Sequence, residues 1–272
     1  MRKIGRIALF VFLILVLLGT LFPLIWMFYS SLFSHTISLA SLADIFKQKL
    51  TLKNYAEVFS QIPFGKFLFN SVFVAVVVTL GNLFFCSLVG YAFARKRFPC
   101  KKSLFVSVVL VLMIPVHILI IPLFILIKFF GWYDTYLALI APWLVSPLGI
   151  FLMRQYIEVL PKDLEEAARI DGAGEFKILF RVVLPLCKPA LAVVAIQVFL
   201  ANWNSFLFPF ILTSSENMRT VPVALALFQG YQTIDWPRLF AASGLATLPV
   251  LILFLFFQRQ IVAGLTTGAL KQ

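Results

Sequence analysis

Six of the eleven acidic residues, Glu158, Asp163, Glu165, Glu166, Asp171 and Glu175, fall in one short stretch that also carries Arg154, Lys162, Arg169, Lys177, Arg181 and Lys188. Carboxylates and cations mixed in this way form ion pairs with one another or with a charged partner surface, which is docking chemistry. Catalysis needs other spacings. The chain has no H-E-x-x-H pair, no G-x-S-x-G elbow and no cluster of histidine with carboxylates. A G-x-x-x-x-G-K-[ST] phosphate loop is missing too, so any ATP used must be hydrolysed by a partner. Cys86, Cys100 and Cys187 are odd in number and lie in neither C-x-x-C nor zinc-ligand spacing. Neither a disulfide framework nor a metal site is expected.

The acidic stretch, residues 158–187, carries helix signals that would give its charges fixed positions. Pro161 suits a first helical turn, where its missing N–H is not needed, and Asp163, Glu165 and Glu166 then sit at the positive end of the helix dipole. Ala167, Ala168 and Ile170 continue that helix, and Gly172 supplies a left-handed residue to end it. Phe176, Leu179, Phe180 and Val183 follow at spacings of three and four, predicting a second amphipathic helix that Pro185 stops. The expected product is a compact helical hook.

What must hold the hook is an apolar framework. Of 272 residues, 62% are apolar and 12% charged, against about 45–50% and about 25% in a soluble domain. This predicts an all-α, polytopic membrane protein. A bilayer core needs roughly 20 apolar residues of helix, and six segments pass, near Ile7–Leu32, Phe67–Ala94, Ser103–Ile127, Tyr136–Met153, Pro189–Leu212 and Leu239–Phe257. The first begins after Arg2, Lys3 and Arg6 like a secretory signal, but it is too long for one and no A-x-A-like site follows, so it is expected to stay as a span. The net charge of +12 does not call for nucleic acid, because the cations cluster between apolar runs, where they set orientation. Sixteen Lys and Arg fall on the side of both termini and seven opposite, which predicts cytoplasmic termini.

No acidic residue falls inside a predicted span. An ion-driven secondary carrier, one alternative for such a protein, commonly keeps an ionisable group there for coupling, so this absence argues against it. Gln197, Asn202, Trp203, Asn204 and Ser205 interrupt the fifth span with neutral groups able to exchange water for the hydroxyls of a polar solute. Two readings stand side by side: lining of a solute path, or hydrogen bonds that hold the bundle together. Asn70, Ser71, Asn82 and Ser87 pose the same question in the second span. His117, near Pro115 and Pro122, is expected to be a buried, hydrogen-bonded histidine at a kink.

Glu166-Ala167-Ala168, then Gly172, then Val182-Val183-Leu184-Pro185 resemble the EAA-x3-G-x9-I-x-LP loop of ABC importer permeases, with valine for isoleucine at position 182. EAARIDGAG from Glu166, YAFARKRFP from Tyr91, WNSFLFP from Trp203 and GLTTGA from Gly264 resemble the carbohydrate-uptake branch, as in the smaller permease of maltose importers. The resemblance implies a type I ABC importer permease fold of six transmembrane helices with a cytoplasmic coupling-helix loop, in the inner membrane of a bacterium. It divides the chain into residues 1–66, an N-terminal end with the first span and an external loop; 67–260, the permease core; and 261–272, a cytoplasmic tail that in maltose-type relatives reaches between the ATPases. Glu165, Glu166, Ala167, Ala168, Asp171 and Gly172 would couple to the ATPase, and Gln197, Asn202, Trp203, Asn204, Ser205 and Asn82 would line the substrate path. The partners implied are a second homologous permease subunit forming a heterodimer, two ATP-binding-cassette subunits that bind the ATP and Mg, and an extracytoplasmic solute-binding protein contacted by the loop 213–238. No cofactor is expected in this chain.

Overall fold

The computed structural model describes residues 2–34, 49–227 and 234–269, with side chains over 5–34, 49–227 and 234–258. The tail side chains from Arg259 onward, part of the loop after Phe33 and part of the loop before Arg238 therefore lie outside the described residues. Contacts divide the chain into two compact units: Met1–Gly65 with Ala224–Leu248, and Lys66–Val223 with Pro249–Gln272.

The first unit contains α1 (Arg2–Ser30), α2 (Lys53–Gln61) and the beginning of the long last helix, α14 (Trp236–Ala269). Side chains from Gly5 to Ile25 on α1 are all exposed, as suits a helix whose solvent is hydrocarbon. Its end is tied down by polar bonds: Asn54 Nδ2 donates to Ser31 O and Phe33 O, and Ser31 Oγ meets Tyr55 Oη at 2.7 Å. Arg238 pairs with Glu57 at 2.8 Å. At Gly244 an added Cβ would stand 2.9 Å from the Phe28 ring, so glycine here permits close approach of α14 to α1.

The second unit is built around α3 (Phe64–Arg95) from Lys66 onward. There follow α4 (Lys101–Val111), α5 (Ile120–Phe129), α6 (Tyr136–Ile140) and α7 (Pro147–Glu158). The polar stretch holds α8 (Asp163–Ile170), α9 (Glu175–Ile178) and α10 (Leu184–Leu186), and α11 (Lys188–Trp203), α12 (Leu207–Leu212) and α13 (Val221–Leu227) complete the order. One buried cluster joins them: Val78 and Cys86 of α3, Met153 and Ile157 of α7, Ile178 of α9 and Val194 of α11. Gly90 of α3 lies against Met153 and Gly149 of α7 against Cys86. Small residues at these crossings suit a bundle in lipid, where close packing replaces the hydrophobic effect between helices.

Among the described residues, four helices are long and apolar enough to cross a membrane, and two bent pairs raise the number to as many as six. One bent pair corrects the third expected span. Instead of a single helix from Ser103 to Ile127, α4 stops at Val111 and the chain resumes at Val116 bent by 93°. Pro115 is the cause: it has no N–H and forces Ile114 away from helical backbone. The fifth expected span, Pro189–Leu212, is interrupted as well, since α11 ends at Trp203 and α12 starts at Leu207. Pro185 does not stop the hook's second helix. The chain passes through a π-helical turn, Leu179–Val183, into α10. That wider turn gives the proline ring room where a regular helix would press it against the carbonyl four residues back.

Candidate functional site

The first helix of the hook forms where its acids and glycine predict, although Pro161 lies just before the N-cap, Lys162, rather than in the first turn. Asp163, Glu165 and Glu166 occupy the first turn of α8, and Gly172 takes φ +77° just after its end. Gly172 N donates to Arg169 O and Ala173 N to Ala168 O, the paired bonds of a Schellman cap. A side chain at Gly172 would carry the left-handed backbone penalty, although open space surrounds it.

α8 then presents two unlike faces. Inward, Glu165 is 3% exposed and Ala168 packs against the buried cluster. Outward, Glu166, Ala167, Asp171 and Gly172 are exposed. Two large apolar side chains join that outer face: Ile170 is 87% exposed and Phe176 is 70% exposed. Of the expected apolar stripe on the following helix, Leu179 and Val183 are buried while Phe176 and Phe180 face out.

What fixes the inner face is Arg95, at the last position of α3. Its Nε donates to Glu165 Oε1 at 2.6 Å, with both side chains 4% exposed. The same guanidinium donates through Nη1 to Glu158 O, at the last residue of α7, and through Nη2 to Leu160 O just beyond it at 2.8 Å. One side chain thus ties the end of α3 to the end of α7 and to α8. Tyr91, one turn earlier, donates to Glu175 Oε2 at 2.9 Å. Lys96 pairs with Glu175, and Arg169 stands 3.5 Å from it. Sequence reasoning used Arg95 and Lys96 for orientation and Tyr91 only within a resemblance, because nothing local marks a pair seventy positions apart.

The Lys96 hydrogen bond, opposed by slight burial and aided by Tyr91 and the Arg169 charge, holds the Glu175 carboxyl below its ordinary value of 4.5. A depressed carboxyl contributes stability that is present above the unfolded-state value and disappears as pH falls through the folded one. We therefore expect the difference in unfolding temperature between wild type and Glu175→Gln to be constant from about pH 7 to about pH 5 and to shrink only at lower pH. Calorimetry of the detergent-solubilised protein checks this.

The expected substrate-path residues do not all meet. Asn202, Asn204 and Ser205, at the break between α11 and α12, line a concavity of about 470 Å³ together with His117, Trp143 and Phe208. His117 is exposed rather than buried, and its ring lies along that of Phe208 at 6.0 Å. It does stand at a kink, in the 3-10 turn Val116–Leu119 that follows Pro115. Trp203 instead packs inside, stacked on Phe199 and close to Ala75. Gln197 is exposed elsewhere on α11. Asn82 has no exposed surface, and its amide donates to Val78 O and Trp143 O, which is the bundle-holding geometry.

Opposite the hook end of α3, the segment after α12 is pinned by polar side chains that sequence reasoning did not single out for this role. Asp134 Oδ1 accepts from Ser214 N, Ser215 N and Ser215 Oγ. Asn70 Nδ2 donates to Asn217 O and Arg219 O, Tyr136 Oη donates to Asn70 Oδ1, and Val221 N donates to Ser71 Oγ.

A helical membrane bundle that lacks nucleotide-binding chemistry, has a solute-sized concavity at broken helices, and bears a polar hook with uncovered apolar side chains is the membrane component of a transporter. The chain belongs to the binding-protein-dependent transport system inner membrane component family, which matches residues 86–267. It is 41% identical to the trehalose/maltose transport system permease protein MalG of Thermococcus litoralis over 271 residues, covering 98% of this chain and 97% of that protein. It is 37% identical to the arabinooligosaccharides transport system permease protein AraQ of Bacillus subtilis over 273 residues, covering 99% and 97%. The fold also matches a chain in the crystal structure of a bacterial ABC transporter involved in the import of the acidic polysaccharide alginate, with TM-score 0.79 and 24% identity over 94% of this chain and 96% of that one. The chain is therefore an integral membrane permease with a type I importer fold, and a transport component rather than an enzyme.

Proposed function

We propose that this permease is one of two membrane-spanning subunits of an ATP-driven importer for a sugar or sugar-like solute. It pairs with a second homologous permease subunit, takes solute from an extracytoplasmic binding protein, and is driven by two ATP-binding-cassette subunits, one of which receives the hook. The relatives named for trehalose, maltose and arabinooligosaccharides support the solute class. The concavity with His117, Trp143, Asn202, Asn204 and Ser205 supports a solute path along this side of the bundle, and the charge asymmetry supports a cytoplasmic hook and cytoplasmic termini.

The observation that carries the docking reading is the exposure of Ile170 and Phe176 beside Glu166, Ala167 and Asp171. In a stretch too charged to lie in lipid, uncovered apolar side chains flanked by carboxylates suit a protein cleft with basic groups on its rim. Each such anchor contributes about 2 kcal/mol at the centre of an interface, roughly thirtyfold in affinity. Ile170→Asp and Phe176→Asp should each lower retention of the ATPase subunits in pull-downs from detergent extracts, with no loss of the permease itself. Unchanged retention in the double variant would remove α8 as the docking element.

A further inference from the structure

α3 differs from the other spans. α1 carries Pro23 and α14 carries Pro249 inside the helix, Tyr136–Glu158 is interrupted by a 3-10 turn, and two further spans are bent pairs. Among the described spans, only α3 is both unbroken and free of proline. Between its ends it is locked to α7 and the turn before it, by the Asn82 bond to Trp143 O and, near the hook, by Gly90 against Met153. Each end is fastened to a different partner-facing element. Arg95 and Tyr91 hold the hook, and Asn70 and Ser71 hold the segment Ser214–Val221. Asn70 and Arg95 lie 25 residues apart, about 37 Å along a helix axis.

We propose that α3 is a rigid strut joining the hook to the external loop 213–221, and that Arg95 and Asn70 are the positioning residues that fasten it. The proposal rests on the docking reading for α8. At both fastenings the hydrogen-bonding capacity of the buried group is used across long sequence separations. Asn70 has no exposed surface and engages both amide protons and its carbonyl, and Arg95 spends Nε, Nη1 and Nη2 on α8 and on the chain end after α7. Such bonds make the ends of the helix move with the elements they hold, because parting them leaves buried polar groups unpaired. A displacement of α8 by a closing ATPase pair then shifts α3 and α7 together, and the far end of α3 carries Asn217, Arg219 and Val221 with it. Contact alone does not make coupling. A response at one end to a ligand at the other does.

The test uses the whole transporter, with its co-purified subunits, in lipid nanodiscs. Amide hydrogen exchange is followed with and without ATP plus vanadate. In wild type, nucleotide should change exchange both in the hook and at Ser214, Ser215 and Val221. In Arg95→Gln the hook should still respond while the response of the external segment falls several-fold, and Asn70→Ser should give the same result from the other end. If Arg95→Gln does not assemble, Arg95→Lys replaces it, with an intermediate response expected. An external response equal to wild type in the Arg95 and Asn70 variants, or no external response in wild type, overturns the strut. A wild-type hook that gains no protection from the ATPase subunits instead overturns the docking reading.

Discussion

Glu165→Lys abolishes ATP-driven uptake and also destabilises the isolated permease, whereas Glu166→Lys abolishes uptake alone: these are the outcomes expected of two neighbouring glutamates on opposite faces of α8. Glu165 is 3% exposed and its partner Arg95 is sealed with it. Removing one member of a buried ion pair costs about 3–5 kcal/mol because the other charge is left uncompensated. A lysine adds repulsion to that loss, so α8 comes away from α3 and the chain after α7 loses its clamp. Glu165→Gln keeps an acceptor oxygen for Arg95 Nε but no charge to balance the guanidinium, so it should still destabilise, less than Glu165→Lys because it adds no repulsion. Glu166 is exposed and makes no ion pair among the described residues, so its reversal should leave the unfolding temperature of the purified chain unchanged and act only where the ATPase docks. Unfolding temperature measured beside uptake in vesicles separates the two. A fall in unfolding temperature for Glu166→Lys equal to that for Glu165→Lys would show that the two faces are not distinct.

That contrast marks the limit of what the sequence discloses about the site. The bounds of α8 were readable because their causes are local: the acids gather in its first turn, and Gly172 ends it with a backbone conformation glycine adopts freely. Which glutamate faces inward was not readable. It depends on Arg95, seventy positions earlier, which in sequence looks like any cation at the end of an apolar run. The spans were legible by length and polarity for the same local reason, but the bends were not. A hydropathy window merges α4 with the segment after Pro115, because both halves are apolar and only the proline differs. The polar set of the fifth span was visible as a set, yet its division between the concavity and the interior follows from the end of α11, where the step of about 100° from one residue to the next puts Trp203 inside and Asn204 outside.

The same long-range dependence governs Gly90, where the second large effect is expected. An added Cβ at Gly90 would stand 2.7 Å from Met153 Cβ, 3.0 Å from Arg154 N and 3.2 Å from Met153 C. Two of these atoms are backbone and the third is a β-carbon, so none can swing aside as the end of a side chain does. Gly90→Ala should therefore push α7 off α3 at a cost of about 1–3 kcal/mol, the range for overpacking a tight core. Gly81→Ala meets the terminal Cδ2 of Leu144 at 2.5 Å, which a rotamer change can move, and should cost less. Gly65→Ala has open space and exchanges a poor helix former for the best one, so it should be neutral or slightly stabilising. Unfolding temperatures in one detergent should rank Gly90→Ala lowest, then Gly81→Ala, then wild type, with Gly65→Ala at least equal to wild type. Because Arg95 takes Leu160 O and Glu158 O from the end of α7, the displacement at Gly90 should also loosen the hook, seen as a fall in ATPase retention by Gly90→Ala and none by Gly65→Ala.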